Sequence, residues 1–369
     1  MTTKTPTICH VTTAHPADDV RIFMRECLSL SQRGFDVSLA ACGDLTAVNS
    51  TNVTAISIPS VTGRFKRLLT ASWRAVRSLR KFDHDILHLH DPELIPAGLW
   101  WRFRGRHVVY DAHEDLPRQI LDKAYLPRWS RTLISIVVDS GLRLAFPRLS
   151  GLVTATEPIA ERVKNKRVQI VCNFPDTATD LAGVSSNGIG TVYIGGLADA
   201  RGLFDMLGAA QIIMERSGTK IDLLGGFDGE ATKREAQGHN GWPAIVAHGH
   251  VGREEVVTAL NRCNIGLLPL KPTPAYVDAL PVKLFEYMAA GLAVIAAEGH
   301  EWSRIIEEHR CGVFYPSGDA EALANAILNL QENPEETRAM GNRGRAAIDA
   351  HFNWQKEADG LADFYRSIL

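Results

Sequence analysis

The stretch Asn173–Gly190, NFPDTATDLAGVSSNGIG, decides how this chain is organised. It is rich in Gly, Ser, Asn, Asp and Thr, residues that favour turns over ladders or helices. No apolar period runs through it, so it reads as a linker. Before it, short β-branched runs alternate with amphipathic segments. Strands are predicted at Thr7–Val11, Asp36–Ala41, Val53–Ile58, Ile86–Leu89, His107–Tyr110, Leu152–Thr154 and Val168–Cys172, with a helix over Ile22–Arg33 closed by Gly34. After it the alternation restarts, with strands at Val192–Ile194, Ile221–Leu224, Ile245–Ala247, Ile265–Leu268, Ala293–Ala296 and Val313–Tyr315. Three helical stretches then follow, at Ala320–Gln331, Pro334–Ala350 and Trp354–Ile368.

Strand–helix alternation of this kind means parallel sheets covered by helices on both faces, an α/β fold. A chain of 369 residues is also too long for one ordinary core. Two Rossmann-like domains facing each other across a cleft are therefore predicted: residues 1–175, residues 190–350, and a closing helical segment at 351–369. In such sheets ligands sit at the carboxyl ends of the strands. With 45% apolar and 22% charged residues the chain is globular rather than disordered. The segment Met1–Asp19 has no apolar run of the secretory kind, and Leu133–Phe146, the most apolar long stretch, is interrupted by Asp139 and Arg143. That stretch is also short of the roughly 20 residues a spanning helix needs. Six scattered cysteines without a CxxC pair fit reduced thiols in the cytosol rather than a zinc site or a disulfide frame.

The formal net charge of −2 hides an asymmetry. Residues 1–180 hold 24 Lys and Arg against 18 Asp and Glu, whereas residues 181–369 hold 16 against 24. Much of the positive excess lies in Arg64–Lys81, RFKRLLTASWRAVRSLRK, where Arg64, Lys66, Arg67, Arg74, Arg77, Arg80 and Lys81 occur without an acidic residue. Leu68, Leu69, Trp73, Val76 and Leu79 recur there at helical spacing, so the segment reads as a basic amphipathic helix. Trp100, Trp101, Arg102, Phe103, Arg104 and Arg106 form a second aromatic–basic cluster. Two readings stay open, a solvated domain surface or docking on anionic lipid head groups. No nucleic-acid motif accompanies the patch.

Asp278–Gly291, DALPVKLFEYMAAG, carries the most chemistry. A helix is predicted to start near Pro281 or Val282, and its free N–H groups and dipole make a phosphate site. Glu286 falls about one turn inside, placed to accept hydrogen bonds from vicinal hydroxyls.

This segment resembles retaining glycosyltransferases of the GT-B fold, family GT4, in a bacterial surface-polysaccharide subgroup. That family carries two glutamates separated by seven residues, then a small-residue helix, a glycine and a PVIA-like strand. Glu286 matches the second glutamate, and Asp278, one methylene shorter, stands at the first. YIGGLADARGL (Tyr193–Leu203) matches the family's strand, glycine-rich turn and basic residue, with Gly195 in the turn, Gly196 at the first basic position and Arg201 at the second. LLGGF (Leu223–Phe227) and GHVGREEV (Gly249–Val256) follow at the family's intervals.

The resemblance implies that Arg201, Lys283 and Leu284, with the helix N-terminus, hold the donor diphosphate. It makes Val251 and Gly252 backbone contacts to the nucleotide base. Glu286 would bind ribose and Asp278 would face the donor sugar. In HVVYDAHEDLP (His107–Pro117) it implies that His113 meets the donor sugar, with Glu114 fixing its tautomer or meeting the acceptor. HPADDVRIF (His15–Phe23) replaces a glycine-rich loop of the family, and there Asp18, Asp19 and Arg21 would position acceptor or phosphate or form a local ion pair.

In HLHDPE, His88 and His90 share one face of a strand beside Asp91, but no third histidine follows at matching spacing, so no metal site is expected. The resemblance likewise implies no metal or other cofactor, only a nucleotide-diphosphate sugar as co-substrate. It implies anomer-retaining transfer to a lipid-linked or other glycan acceptor, by a cytosolic protein resting on the inner face of the cell membrane. A nucleotide-sugar epimerase, a phosphorylase or a non-catalytic sugar-nucleotide-binding protein on the same architecture are the rival readings.

Overall fold

A computed structural model describes residues 5–113, 115–122, 127–176, 184, 188–273, 276, 280–300 and 302–369, without the side chains of 64, 65, 122 and 128. The chain divides into two compact units, Met1–Asn173 with Trp354–Leu369, and Phe174–Asn353.

The first unit is built on seven parallel strands: β1 (Thr7–Val11), β2 (Asp36–Ala41), β3 (Thr54–Ser57), β4 (Ile86–Leu89), β5 (His107–Ala112), β6 (Gly151–Thr154) and β7 (Val168–Ile170). They lie in the order β3-β2-β1-β4-β5-β6-β7. The second has six: β8 (Gly190–Ile194), β9 (Ile221–Leu224), β10 (Ile245–Gly249), β11 (Cys263–Leu268), β12 (Ala293–Ala297) and β13 (Gly312–Tyr315), in the order β10-β9-β8-β11-β12-β13. In each sheet the order reverses beside the first strand, at β1/β4 and at β8/β11. Such switch points place a crevice at the carboxyl ends of the strands. Burial follows from helices on both faces: β4, β6, β11 and β12 are buried at every position, as continuous apolar runs in parallel sheets require.

The predicted helix over Ile22–Arg33 is wound differently from expectation. Val20–Cys27 is a π-helix, followed by a short α-helix at Leu28–Gln32 and by Gly34 at φ +85°. One π turn spans five residues, so Arg21 and Glu26 fall on the same, inward face. Asp19 starts the turn, its Oδ1 accepting from the N–H groups of Arg21 and Ile22 at 2.9 Å each.

The final helix, Trp354–Ile368, packs on the first unit. Trp354, Leu361, Phe364, Tyr365 and Ile368 join the core formed by β1, β2 and the π-helix. Trp354 Nε1 donates to Ser29 Oγ at 2.7 Å. Gly151 admits the helix, because a Cβ there would lie 2.6 Å from the Phe364 ring.

The helix Arg64–Leu79 forms within the predicted stretch, but only part of its predicted apolar face, Val76 and Leu79, turns inward. Ala71, Ala75 and Leu79 are buried, while Leu68, Leu69 and Trp73 are exposed, Leu69 at 78% and Trp73 at 63%. Small residues let the backbone come close: Ser72 Oγ donates to Glu93 O at 2.7 Å and accepts from Ala97 N at 3.1 Å. The six cysteines are free thiols, as expected.

Candidate functional site

Two polar constellations stand at the carboxyl ends of the strands, one in each unit. In the second unit β8 runs into the Gly195–Gly196 turn. Gly195 takes φ +139°, and its N–H donates to Leu224 O at 2.7 Å. Gly225, at φ +153°, approaches so closely that a Cβ there would fall 1.8 Å from Gly195 O, which accounts for the glycine in LLGGF.

Over this turn lie two cations. A Cβ on Gly195 would meet Lys283 Nζ at 2.4 Å, and one on Gly196 would meet Arg201 Nη1 at 3.0 Å. The flexible ends of Lys283 and Arg201 would thus meet side chains placed at 195 and 196. Their contacts among the described residues are with tyrosines. Lys283 Nζ lies 3.2 Å from Tyr193 Oη and 4.6 Å from the centre of that ring. Arg201 Nε approaches Tyr276 Oη at 3.4 Å. Burial, reinforced by Arg201, lowers the Lys283 amine to about 7.

Lys283 belongs to the first turn of the helix Val282–Ala290, which ends at Gly291 with φ +76°. Leu284 does not serve as a phosphate donor: its N–H is taken by Pro281 O at 3.0 Å and its side chain is buried. Glu286 is half-buried and pairs with Arg253 Nη1 at 3.1 Å. The next residue, Tyr287, anchors the helix, its hydroxyl accepting from Ile194 N at 2.9 Å. Gly252 caps the helix Arg253–Arg262 beside Val251. Asp278 lies outside the described residues.

In the first unit the sequence hinted at little of what gathers there. β1 contributes His10, β4 contributes His88 and leads into His90, and β5 contributes Asp111 and leads into His113. The π-helix adds Arg21 and Glu26. Arg21 is buried and donates through Nε and Nη2 to Asp111 at 3.0–3.2 Å and through Nη1 to Val171 O at 3.0 Å. Its Nε also lies 3.1 Å from Glu26 Oε1. Of the two readings of Arg21, contact with acceptor or phosphate and an ion pair, the structure has the ion pair, and the acceptor-side role is corrected. Asp19 is engaged in capping, and Glu114 lies outside the described residues.

His113 is half-buried, its Nε2 3.2 Å from His90 Nδ1 and its Nδ1 3.3 Å from Asp111 Oδ2. Among the described residues Asp111 is the carboxylate beside its ring, and Glu114 lies outside them. Burial holds His10, His88, His90 and His113 well below the usual histidine range, His10 at about 3, so these imidazoles are neutral. Burial, reinforced by Asp111, pushes Glu26 well up. Asp91 instead ties down the loop after β1, accepting from Thr12 Oγ1 at 3.0 Å and Ala14 N at 3.1 Å.

The expected cationic face is narrower than predicted. Arg74 is buried, donating to Pro59 O and to Thr70 Oγ1, and Arg67 pairs with Glu93 at 3.1 Å. Lys66, Trp73, Arg77, Arg80 and Lys81 remain exposed, with Arg77 over the Trp73 ring at 5.6 Å. The side chain of Arg64 is outside the described set. A second apolar face was missed: Trp129, Leu133, Ile136, Val137 and Leu144 are exposed along the helix Arg128–Ala145. Its signal was the apolar run Leu133–Phe146. No helix among the described residues is long and apolar enough to cross a membrane.

Two doubly wound units of this strand order, the second bearing a glycine turn under two cations, define the GT-B class. A family profile described as "Glycosyl transferases group 1" matches residues 184–347, and one described as "Glycosyltransferase Family 4" matches residues 20–179. This chain belongs to the GT4-type glycosyltransferases and is an enzyme of that kind.

It is similar to the O-antigen chain mannosyltransferase C of Escherichia coli, 25% identical over 313 residues, 80% of each chain. It is also similar to the amylovoran biosynthesis glycosyltransferase AmsK of Erwinia amylovora, 29% identical over 160 residues. That match spans 42% of this chain and 39% of the relative. Among solved structures, HepE of Anabaena in complex with UDP superposes with a TM-score of 0.72 at 14% identity, covering 98% of this chain and all of that one. At that identity the likeness speaks for the fold.

Proposed function

We propose that the protein transfers a sugar, with retention at the anomeric carbon, from a nucleoside diphosphate sugar to a glycan acceptor in surface-polysaccharide assembly. The observation that carries this is the pair Arg201 and Lys283 over the Gly195–Gly196 turn, two cations whose described hydrogen-bond and ring partners are tyrosines. A diphosphate supplies the anionic oxygens that a guanidinium binds bidentately and an ammonium binds as a point charge. The N–H groups at the start of Val282–Ala290 add a helix N-terminus to the same locus. Glu286 then binds the ribose hydroxyls, Val251 and Gly252 meet the base, and Asp278 faces the sugar. His113 acts on the donor sugar as a neutral imidazole.

In the transfer the bond from the anomeric carbon to the diphosphate breaks while the acceptor hydroxyl bonds the same face of that carbon. The acceptor proton passes to the departing phosphate oxygen. Arg201 and Lys283 stabilise charge as it develops on that oxygen, and the step calls on no cofactor. Names of relatives such as the O-antigen and amylovoran transferases favour a surface glycan as acceptor.

Contact with a membrane, as a lipid-linked acceptor would need, is supported by exposed Leu68, Leu69, Trp73 and Phe103 beside Lys66, Arg77, Arg80 and Lys81, and by the apolar face of Arg128–Ala145. The test is incorporation of radiolabelled sugar from UDP-, GDP- and dTDP-sugars into a bacterial membrane lipid extract. One donor should label it, with its anomeric configuration kept, and the Arg201→Ala variant should label it about a hundredfold more slowly. Failure of every donor would overturn the proposal.

A further inference from the structure

Sequence spacing shows two histidines on one strand and nothing to complete a ligand set. The sheet supplies the rest. Parallel pairing of β1 with β4 sets His10 beside His88, and His90 follows two residues later on the same side. From the π-helix Glu26 enters the same space.

All four residues are fully buried or nearly so, and one donor atom from each lies within 4.8 Å of the others. His10 Nδ1 is 2.9 Å from His90 Nε2 and 3.5 Å from Glu26 Oε2. Glu26 Oε2 is in turn 3.9 Å from His88 Nδ1 and 3.9 Å from His90 Nε2. A tetrahedral ion with bonds of about 2.0–2.1 Å holds its ligand atoms about 3.3–3.4 Å apart. These four spacings straddle that value and no pair of donor atoms exceeds 4.8 Å, so movements of up to about 1.5 Å seat an ion.

Two further observations point to a cation. Glu26 Oε1 is turned to Arg21, while buried Oε2 accepts no hydrogen bond and is aimed into the imidazoles. Outer contacts are those of a metal histidine: His90 Nδ1 meets His113 Nε2 at 3.2 Å, and Asp111 stands behind His113. The Tyr365 hydroxyl now bonds His88 Nδ1, and an ion there would take the place of that bond.

We propose that His10, His88, His90 and Glu26 form a closed tetrahedral site for a divalent first-row metal ion, with zinc the best match. Three imidazoles and a carboxylate without a thiolate suit zinc, and four protein ligands leave no open position for chemistry. The ion is structural. It ties β1, β4 and the π-helix together and, through His90, fixes the ring of His113, so it stands apart from the transfer step itself.

The test uses the full chain with any affinity tag removed, stripped with a chelator and dialysed. Zinc(II) alone should bind at one equivalent and raise Tm. Cobalt(II) alone should give the intense visible bands of a tetrahedral ion. Glu26→Gln and His90→Gln should each weaken zinc binding at least tenfold. If the stripped wild type takes up no zinc and gives no tetrahedral cobalt bands, the site does not exist. If both variants keep wild-type affinity, the ion binds elsewhere, which equally overturns it. Should either variant fail to fold, the wild-type cobalt spectrum decides alone. A working metal site with no sugar transfer would sink only the proposed function, and transfer without metal uptake only this inference.

Discussion

The two polar clusters occupy equivalent places, at the carboxyl ends of strands beside a switch point, yet their charge is arranged in opposite ways. Around Arg21 the charges close on themselves: the guanidinium has Asp111 and Glu26, and every member but His113 is buried. Around Gly195 and Gly196 the described hydrogen-bond and ring partners of Arg201 and Lys283 are tyrosines, with Glu286 acting on Lys283 at longer range. Burying an unpaired cation is expensive, and a fold keeps one only where something else meets it. The closed cluster therefore reads as internal support and the glycine turn as the place for an anionic ligand.

The contrast is broken most directly at Arg21. Arg21→Ala leaves buried Asp111 without its guanidinium, so urea unfolding should show a loss of about 3–5 kcal/mol. A loss below 1 kcal/mol would mean that the closed cluster is not held by its charges. Arg201→Ala should fold normally and lower kcat/KM for the donor about a hundredfold, the usual consequence of removing a group that meets developing charge. Normal turnover would move the diphosphate away from the turn.

Lys283→Met sharpens the comparison through pH. The amine lies at about 7 in the folded chain against an ordinary 10.5. Between those values the unfolded chain binds more protons, so wild-type stability rises with pH across that window, and the full cost of the buried charge is present below it. The variant should be more stable than wild type near pH 7, with the gap closing towards pH 10, in unfolding measured at several pH values. Nucleotide affinity of the wild type should fall as pH climbs above about 7, because a bound diphosphate needs the proton, and the variant should lack that slope. Glu286→Ala should weaken nucleotide binding by calorimetry about tenfold, as expected for lost hydrogen bonds to a charged acceptor. Unchanged affinity would assign Glu286 to Arg253 alone.

Much of the fold was legible because parallel strands are short apolar runs with few alternatives. Thr7–Val11, Asp36–Ala41, Ile86–Leu89 and Ile221–Leu224 form over the predicted residues. Edges were less legible: Val53–Ile58 shrinks to Thr54–Ser57, and Ile245–Ala247 extends to Gly249 across a register shift. The π turn at Val20–Cys27 was not foreseen, because local pattern cannot distinguish 3.6 residues per turn from a wider winding. Nor could spacing show that Arg74 is buried while Leu69 faces out. An amphipathic pattern names a face, and the neighbouring elements choose which face they cover.

Although most of the predicted linker, Asn173–Gly190, lies outside the described residues, the sequence by itself determined the two alternating α/β units, the helix at Val282 and the basic character of Arg64–Lys81. Each follows from period, turn residues or local charge, which act over a few residues. Tertiary structure alone decided that Lys283 and Arg201 share one glycine turn, that Arg21 is spent on Asp111 and Glu26, and that His10 joins His88 and His90. Those partners lie tens of residues apart, and only strand order and register bring them within ångströms.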